Sequence, residues 1–330
     1  TECVSGCMCP DGLVLDGSGG CISKDQCPCV HGGQFYKPGE TIKVDCNTCT
    51  CDKRQWKCTD NPCKGTCTVY GNGHYMSFDG ENFDFLGDCD YILAQDFCPN
   101  NMDAGTFRIV IQNNACGKSL SICSLKITLI FESSEIRLLE GRIQEIATHP
   151  AAEKNYKVDL RGGYIVIETT QGMIFMWDQK TTVIVHVAPY FQAICGLCGD
   201  FDGRSKNDFT TRGQSMEMSI QEFGNSWKIT STCSNVNMTD LCADQPFKTV
   251  LGQKHCSIIK SSVFEACHSK VNPIPYYESC VSDFCGCDSV GDCECFCTSV
   301  AAYSRSCSRA GVCIDWRTPA ICPVFCDYYN

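Results

Sequence analysis

Gly163-Tyr-Ile-Val-Ile-Glu-Thr169, then Gly172-Met-Ile-Phe-Met-Trp177 and Thr181-Thr-Val-Ile-Val-His-Val187, decide the fold class of this chain. These runs are crowded with β-branched and aromatic residues, and the last alternates with the period of two that a half-buried strand requires. Turn material separates them at Gly162-Gly163, Gln171-Gly172 and Asp178-Gln179-Lys180. Phe107-Arg-Ile-Val-Ile111 and Ser124-Leu-Lys-Ile-Thr-Leu-Ile-Phe131 read the same way. Strands joined by short turns, with no helices between them, predict antiparallel sheets stacked as a sandwich. The β-domain is expected over 67–233, where the long cysteine-free stretch between Cys123 and Cys195 leaves room for a sizeable apolar core.

Outward from that core, cysteine dominates. The chain has 32 cysteines among 330 residues, a density that an oxidising compartment turns into crosslinks. Each crosslink stabilises by about 2–4 kcal/mol through the unfolded state. Zinc modules are the alternative, but they need separated Cys/His quartets, and only six histidines are present. The expected setting is the secretory pathway and then the extracellular space. Residues 1–29 carry six cysteines among Gly, Pro and Asp, so their fold must come from crosslinks. Residues 30–66 repeat that logic with Trp56 as the one large apolar anchor. After Cys233 the pattern turns helical, over Cys256–Cys267 and Tyr276–Val290. A small self-crosslinked helical domain is expected at 234–321, with another cysteine module opening at 322–330. Thr1 lies inside a cysteine-rich pattern, which reads as a segment of a longer secreted precursor.

The net charge of −11, with scattered basic residues, argues against nucleic acid or an acidic membrane as partner. No apolar run reaches about 18 residues, so no spanning helix is expected.

Three groups of residues carry chemistry. Asp200, Asp202, Asn207 and Asp208 crowd a Gly-containing loop, the hard-oxygen set that Ca²⁺ takes, and the Arg204 carbonyl could add an oxygen. Carboxylates this close repel one another without a cation; the plain alternative is a surface turn held by Asx hydrogen bonds. Cys195-Gly-Leu-Cys198 invites comparison with a thiol oxidoreductase, but it precedes a Gly/Asp loop beside carboxylates, not a helix. Each of its cysteines is expected to bond elsewhere and pin the loop. Cys293, Cys295 and Cys297 cannot easily bridge one another and must reach different partners, one of which could face outward. Asn237-Met-Thr239 is an N-glycosylation sequon. No Gly-x-Ser-x-Gly and no histidine cluster suggests an enzyme, and the histidines read as surface or packing groups, a pH-sensing role being open for some.

Tyr75-Met-Ser-Phe-Asp-Gly80, Cys195-Gly-Leu-Cys-Gly-Asp-Phe-Asp-Gly203 and Glu222-Phe-Gly-Asn-Ser-Trp227 together resemble a von Willebrand factor type D domain. Residues 256–287 resemble the C8 domain that follows it. Residues 1–29 look like the tail of a trypsin-inhibitor-like module, and 30–66 like the small E module beside it. The order is similar to the third D assembly of gel-forming mucins and von Willebrand factor, and Gly291-Asp-Cys-Glu-Cys-Phe-Cys297, Trp316-Arg-Thr-Pro319 and Cys326-Asp-Tyr-Tyr-Asn330 look closer to the mucins. The resemblance implies a non-enzymatic role in building disulfide-linked mucin polymers, with Ca²⁺ as stabiliser. It adds Asp79 to the ligand shell and assigns Cys295 to a disulfide between two copies. Asp200 stands where the family usually has Asn, an extra negative charge that should strengthen cation dependence or alter ligand geometry. An adhesive or carrier module for another extracellular protein is the second reading, and protease inhibition by 1–29 a third.

Overall fold

A computed structural model describes the chain apart from residues 1–8, 16–19, 32–33, 45, 100–104, 116–120, 132–133, 148–153, 192, 231, 236–239, 288–292 and 324–330. Strands β1 (Leu13–Leu15) and β2 (Cys21–Ser23) form one hairpin, and β3 (Cys29–His31) and β4 (Gln34–Tyr36) a second. They are followed by a three-stranded meander of β5 (Thr41–Val44), β6 (Asn47–Asp52) and β7 (Gln55–Cys58). Among the described residues of 9–64, the only buried ones are Cys27, Cys29, Cys49 and Cys51. Crosslinks Cys9–Cys21, Cys29–Cys51, Cys46–Cys63 and Cys49–Cys58 hold these pieces where apolar burial cannot. Trp56 is only partly buried; it packs edge-on against Tyr36 and donates its indole N–H to the Val30 carbonyl at 3.2 Å.

The β-domain opens with β8 (Gly65–Tyr70), β9 (His74–Met76) and β10 (Asn82–Asp84). The chain then crosses to β11 (Asp90–Gln95), β12 (Phe107–Ala115), β13 (Ile122–Phe131), β14 (Ser134–Leu139) and β15 (Arg142–Ala147). It returns through β16 (Tyr156–Arg161), β17 (Tyr164–Thr169), β18 (Ile174–Trp177) and β19 (Val183–Val187). One sheet has the order β10-β9-β8-β19-β18-β17-β16 and the other β11-β12-β13-β14-β15. Neighbouring strands are antiparallel throughout, for example β8 with β19 and β12 with β13. Register lines up the apolar rows: Ile167 opposite Phe175, Phe175 opposite Val185 and Val185 opposite Cys67 in one sheet. In the other, Ile111 faces Ile127 and Ile127 faces Leu138. Both rows belong to one buried cluster, so the two sheets close over a shared core. Burying each such side chain is worth about 1.5–3 kcal/mol, so the sandwich stands largely on its own apolar surface.

Strand β8 is buried along its whole length, because its second face is covered by the helical domain. Cys67 and Val69 belong to the sandwich core, and Tyr70 to the core of the helical region. A short helix α1 (Ile220–Ser226), capped by the Ser219 hydroxyl accepting the Glu222 N–H, seals the sandwich with Phe223. Beyond it lie α2 (Pro246–Cys256), α3 (Glu265–His268), α4 (Ile274–Gly286) and α5 (Cys293–Arg309).

The helix expected over Cys256–Cys267 is not continuous. The helix lies upstream as α2, and Ser257–Phe264 forms two 3₁₀ turns divided at Ser261, whose extended backbone and side-chain cap on Val263 restart the chain. The helical domain surrounds Ile259, Phe264, Tyr276, Val300, Tyr303 and Trp316. Cys242–Cys285, Cys256–Cys280, Cys267–Cys307, Cys287–Cys295 and Cys297–Cys322 staple it. Cys27 and Cys313 form no disulfide among the described residues, the first being buried and the second exposed. No helix among the described residues is long and apolar enough to cross a membrane.

Candidate metal centre and assembly cysteine

The acidic loop is held from two sides. Cys195 bonds to Cys98 and Cys198 to Cys67, so the two cysteines of the Cys-x-x-Cys pair do not join each other. Their loops span 97 and 131 residues, long enough for each crosslink to remove about 4–5 kcal/mol of unfolded-chain freedom. The Cys198 N–H bonds to the Leu93 carbonyl, and the Cys198 carbonyl accepts the Phe78 N–H, both at 2.9 Å. The second contact docks the Tyr75–Gly80 turn onto the loop. Gly199, at φ +80°, must be glycine, because a Cβ there would collide with the Asp208 carboxylate.

The structure gathers the expected ligands around that turn. Carboxylate oxygens of Asp79, Asp200 and Asp208 lie within 4.8 Å of one another. Asp79 accepts the backbone N–H groups of Asp202 and Gly203, each at 3.0 Å. The Asn207 side-chain amide donates to Asp200 at 2.9 Å and to Asp202 at 3.0 Å, so positions 200 and 202 face the same amide. The Arg204 carbonyl accepts the Asn207 N–H at 3.2 Å, while Asp202 is exposed at the rim. The Asx turns of the plain alternative are thus present, but they leave oxygens over. Oδ1 of Asp200, Asn207 and Asp208 are each buried with no hydrogen-bond partner among the described residues.

Electrostatics agree with the geometry. Burial, reinforced by the neighbouring carboxylates, pushes Asp208 up to about 7 and Asp200 up to about 6. Asp79 is raised for the same first reason. Three unsatisfied buried oxygens among mutually repelling carboxylates fit a hard divalent cation, whose charge would replace the protons. The cluster opens into a cavity of about 410 Å³ whose other walls include Ile194 and Trp227. Sequence reasoning missed Ser77, which donates to Asp208 at 2.6 Å and orients it; the Tyr75–Gly80 motif was the available signal.

The second candidate group sits where α4 ends and α5 begins. Cys297 bonds to Cys322 and Cys295 to Cys287, so the two take different partners. The sequence-based assignment of Cys295 to a bond between copies differs from what the single chain contains. Cys287 lies eight residues away with a Cα separation of 6.7 Å, and the helix ends bring the two sulfurs together. Cys295 is partly exposed and Cys287 is buried at 4 %. Asn237 falls outside the described residues.

One polar assembly escaped the sequence reading altogether. His74, on β9, lies 2.6 Å from Asp84 through Nδ1 and 2.7 Å from Asp283 of α4 through Nε2. Burial alone would lower its pKa, but the Asp283 and Asp84 carboxylates overrule that and hold it up at about 10. His74 is therefore a charged clasp between the sandwich and the helical domain.

Comparison with known proteins matches the von Willebrand factor type D domain over residues 67–215, the C8 domain over 255–323 and the von Willebrand factor type C domain over 29–81. Chicken (Gallus gallus) Mucin-5B is 93% identical over the whole chain, which spans 16% of that relative. Human Mucin-5B is 52% identical and human Mucin-2 49%, again over the whole chain, which spans 6% of each. The cystine density and the mucin relatives place the chain among secreted proteins. With a type D sandwich leading into a C8 helical domain, the chain is related to the gel-forming mucins.

Proposed function

We propose that this segment is a structural, non-enzymatic assembly module that joins mucin chains into polymers through a disulfide between the Cys295 residues of two copies, with Ca²⁺ at the Asp79/Asp200/Asp208 cluster holding the sandwich rigid. The observation that carries the assembly role is the state of the Cys287–Cys295 bond. It closes only eight residues, which constrains the unfolded chain by about 2.5 kcal/mol, against about 5 kcal/mol for the 131-residue Cys67–Cys198 loop. A bond this local is the least costly to exchange, and its partly exposed residue is Cys295. Cys295 also sits in the first turn of the 17-residue α5, where the helix N–H groups favour a sulfur anion.

The exchange needs no outside oxidant. The Cys295 thiolate of a copy whose Cys287 and Cys295 are still reduced attacks Cys295 Sγ of a bonded copy. The bond between the two Cys295 sulfurs forms, the Cys287–Cys295 bond breaks, and Cys287 leaves as a thiolate that takes a proton from water. Two Cys287 thiols remain.

The cation reading draws on the three partnerless buried oxygens. Mucin relatives and cystine content support multimers linked by disulfides. On a non-reducing gel, the secreted wild-type chain is expected as a dimer, and Cys295→Ala as a monomer secreted in comparable amount. A Cys295→Ala dimer band of wild-type intensity contradicts the assignment.

A further inference from the structure

We propose that the Asp283 side chain positions the sulfurs for the bond between copies, an inference that rests on the assembly reading above. Asp283 is 1 % exposed and touches every element that frames the exchanging disulfide. Its Oδ1 accepts the Asn72 N–H at 3.0 Å and faces His74 Nε2 at 2.7 Å, both in the sandwich. Its Oδ2 accepts the Ser299 hydroxyl of α5 at 2.7 Å, and the same hydroxyl lies 3.2 Å from the Cys295 carbonyl. The Asp283 carbonyl accepts the Cys287 N–H at 3.2 Å and lies 3.1 Å from Cys287 Sγ. One buried residue therefore ties the end of α4, with Cys287, and the start of α5, with Cys295, to the β-domain.

The β-domain is shaped to receive it. Gly71 adopts φ +56°, and a Cβ at that position would collide with the Asp283 carboxylate. Asn72, which donates its N–H to Asp283, also accepts the Ile122 N–H at 2.8 Å, and Ser121 donates to the Gly286 carbonyl at the end of α4. A buried carboxylate with this many donors holds a single arrangement, because any shift strands a charge in a dry interface.

The consequence is direction. With both helix ends held in register, Cys287 stays at 4 % exposure and Cys295 remains the partly exposed residue of the pair. An incoming thiolate then meets Cys295 and expels Cys287. Loosening α5 exposes either sulfur to attack, and Cys287 enters mixed disulfides.

The test follows wild type, Cys295→Ala, Ser299→Ala, Ser299→Thr and Asp283→Asn by non-reducing gel and mass-spectrometric disulfide mapping of the secreted chain. Ser299→Ala should lower the dimer fraction about fivefold, the effect of one hydrogen bond, and Ser299→Thr should restore it. Asp283→Asn should lower it further and place Cys287 in mixed disulfides, with Cys67–Cys198 and Cys98–Cys195 unchanged. A purely structural role predicts loss of all bonds together. Wild-type dimer fraction and bond map in both Ser299→Ala and Asp283→Asn overturn the proposal. If Asp283→Asn is not secreted, Ser299→Ala and its Thr rescue decide. If Cys295→Ala still dimerises, the assembly reading falls. Asp283 is then judged by the Cys287–Cys295 bond in Ser299→Ala monomers, whose persistence overturns the proposal and whose loss supports it.

Discussion

The sandwich and the cystine-rich pieces before it solve the same problem by opposite means. In the sandwich, Ile109, Leu125, Ile127, Leu129, Phe175 and Val185 are fully buried, and the disulfides at its edge pin a loop onto an existing core. In residues 9–64, the described buried positions are all cysteines, and each crosslink closes a loop of 9 to 22 residues. Sulfur reinforces one region and substitutes for a core in the other. Chain length behind each apolar cluster makes the difference, since small modules bury too little surface to offset their ordering entropy.

Mild reduction without denaturant should separate the two regions most sharply. Residues 9–64 are expected to unfold outright and become protease-sensitive, while the β-signal of 67–233 persists; limited proteolysis read by mass spectrometry checks this. Equal resistance of both regions breaks the comparison. Next in size, Leu129→Ala in the sandwich should lower stability by about 2–5 kcal/mol in denaturant melts. Trp56→Ala should cost less, because its ring is partly exposed and its single hydrogen bond is worth about 1 kcal/mol. Similar losses at both positions contradict the division of labour.

Those contrasts also explain what sequence alone discloses. Strands β13 and β19 are legible because one face is apolar and the other is not. Strand β8, Gly65-Thr-Cys-Thr-Val-Tyr70, is not, because both its faces are covered and alternation disappears. Helix α5 is obscured by Cys293-Glu-Cys-Phe-Cys297, which looks like loop chemistry although the helix continues to Arg309. Most of the acid cluster is legible because four of its members fall within nine residues, whereas Asp79 came through a family resemblance. The clasp of His74 with Asp283 is invisible in sequence because 209 residues separate the pair and only the folded interface joins them.

Calcium gives a smaller, graded test. Saturating Ca²⁺ at about 100 times its dissociation constant should stabilise the sandwich by about 2.7 kcal/mol and leave 9–64 unaffected. Asp208→Asn should abolish most of that gain in thermal melts with and without chelator. A Ca²⁺ response of equal size in Asp208→Asn removes the cluster from consideration.

The last test is one of pH. His74, flanked by Asp84, Asp283 and the Tyr70 ring, has its pKa raised from 6.5 to about 10, so its contribution is complete below 6.5 and fades as pH rises through 10. Burial opposes the Asp84 shift, but the His74 hydrogen bond and charge win and lower it from 3.8. Its contribution is present above about 4 and lost as pH falls further. Melts should therefore show junction stability level between pH 4 and 6.5 and declining toward 10, and His74→Gln should flatten the alkaline decline. An unchanged decline in His74→Gln assigns it to other groups.

Peptide mapping of covalent dimers grown from a mixture of isotopically heavy and light chains tests the assembly role most directly. A mixed heavy–light peptide pair joined Cys295 to Cys295, with Cys287 released from its partner, is the predicted result. Dimers in which every Cys295 remains bonded to Cys287 of its own chain contradict it.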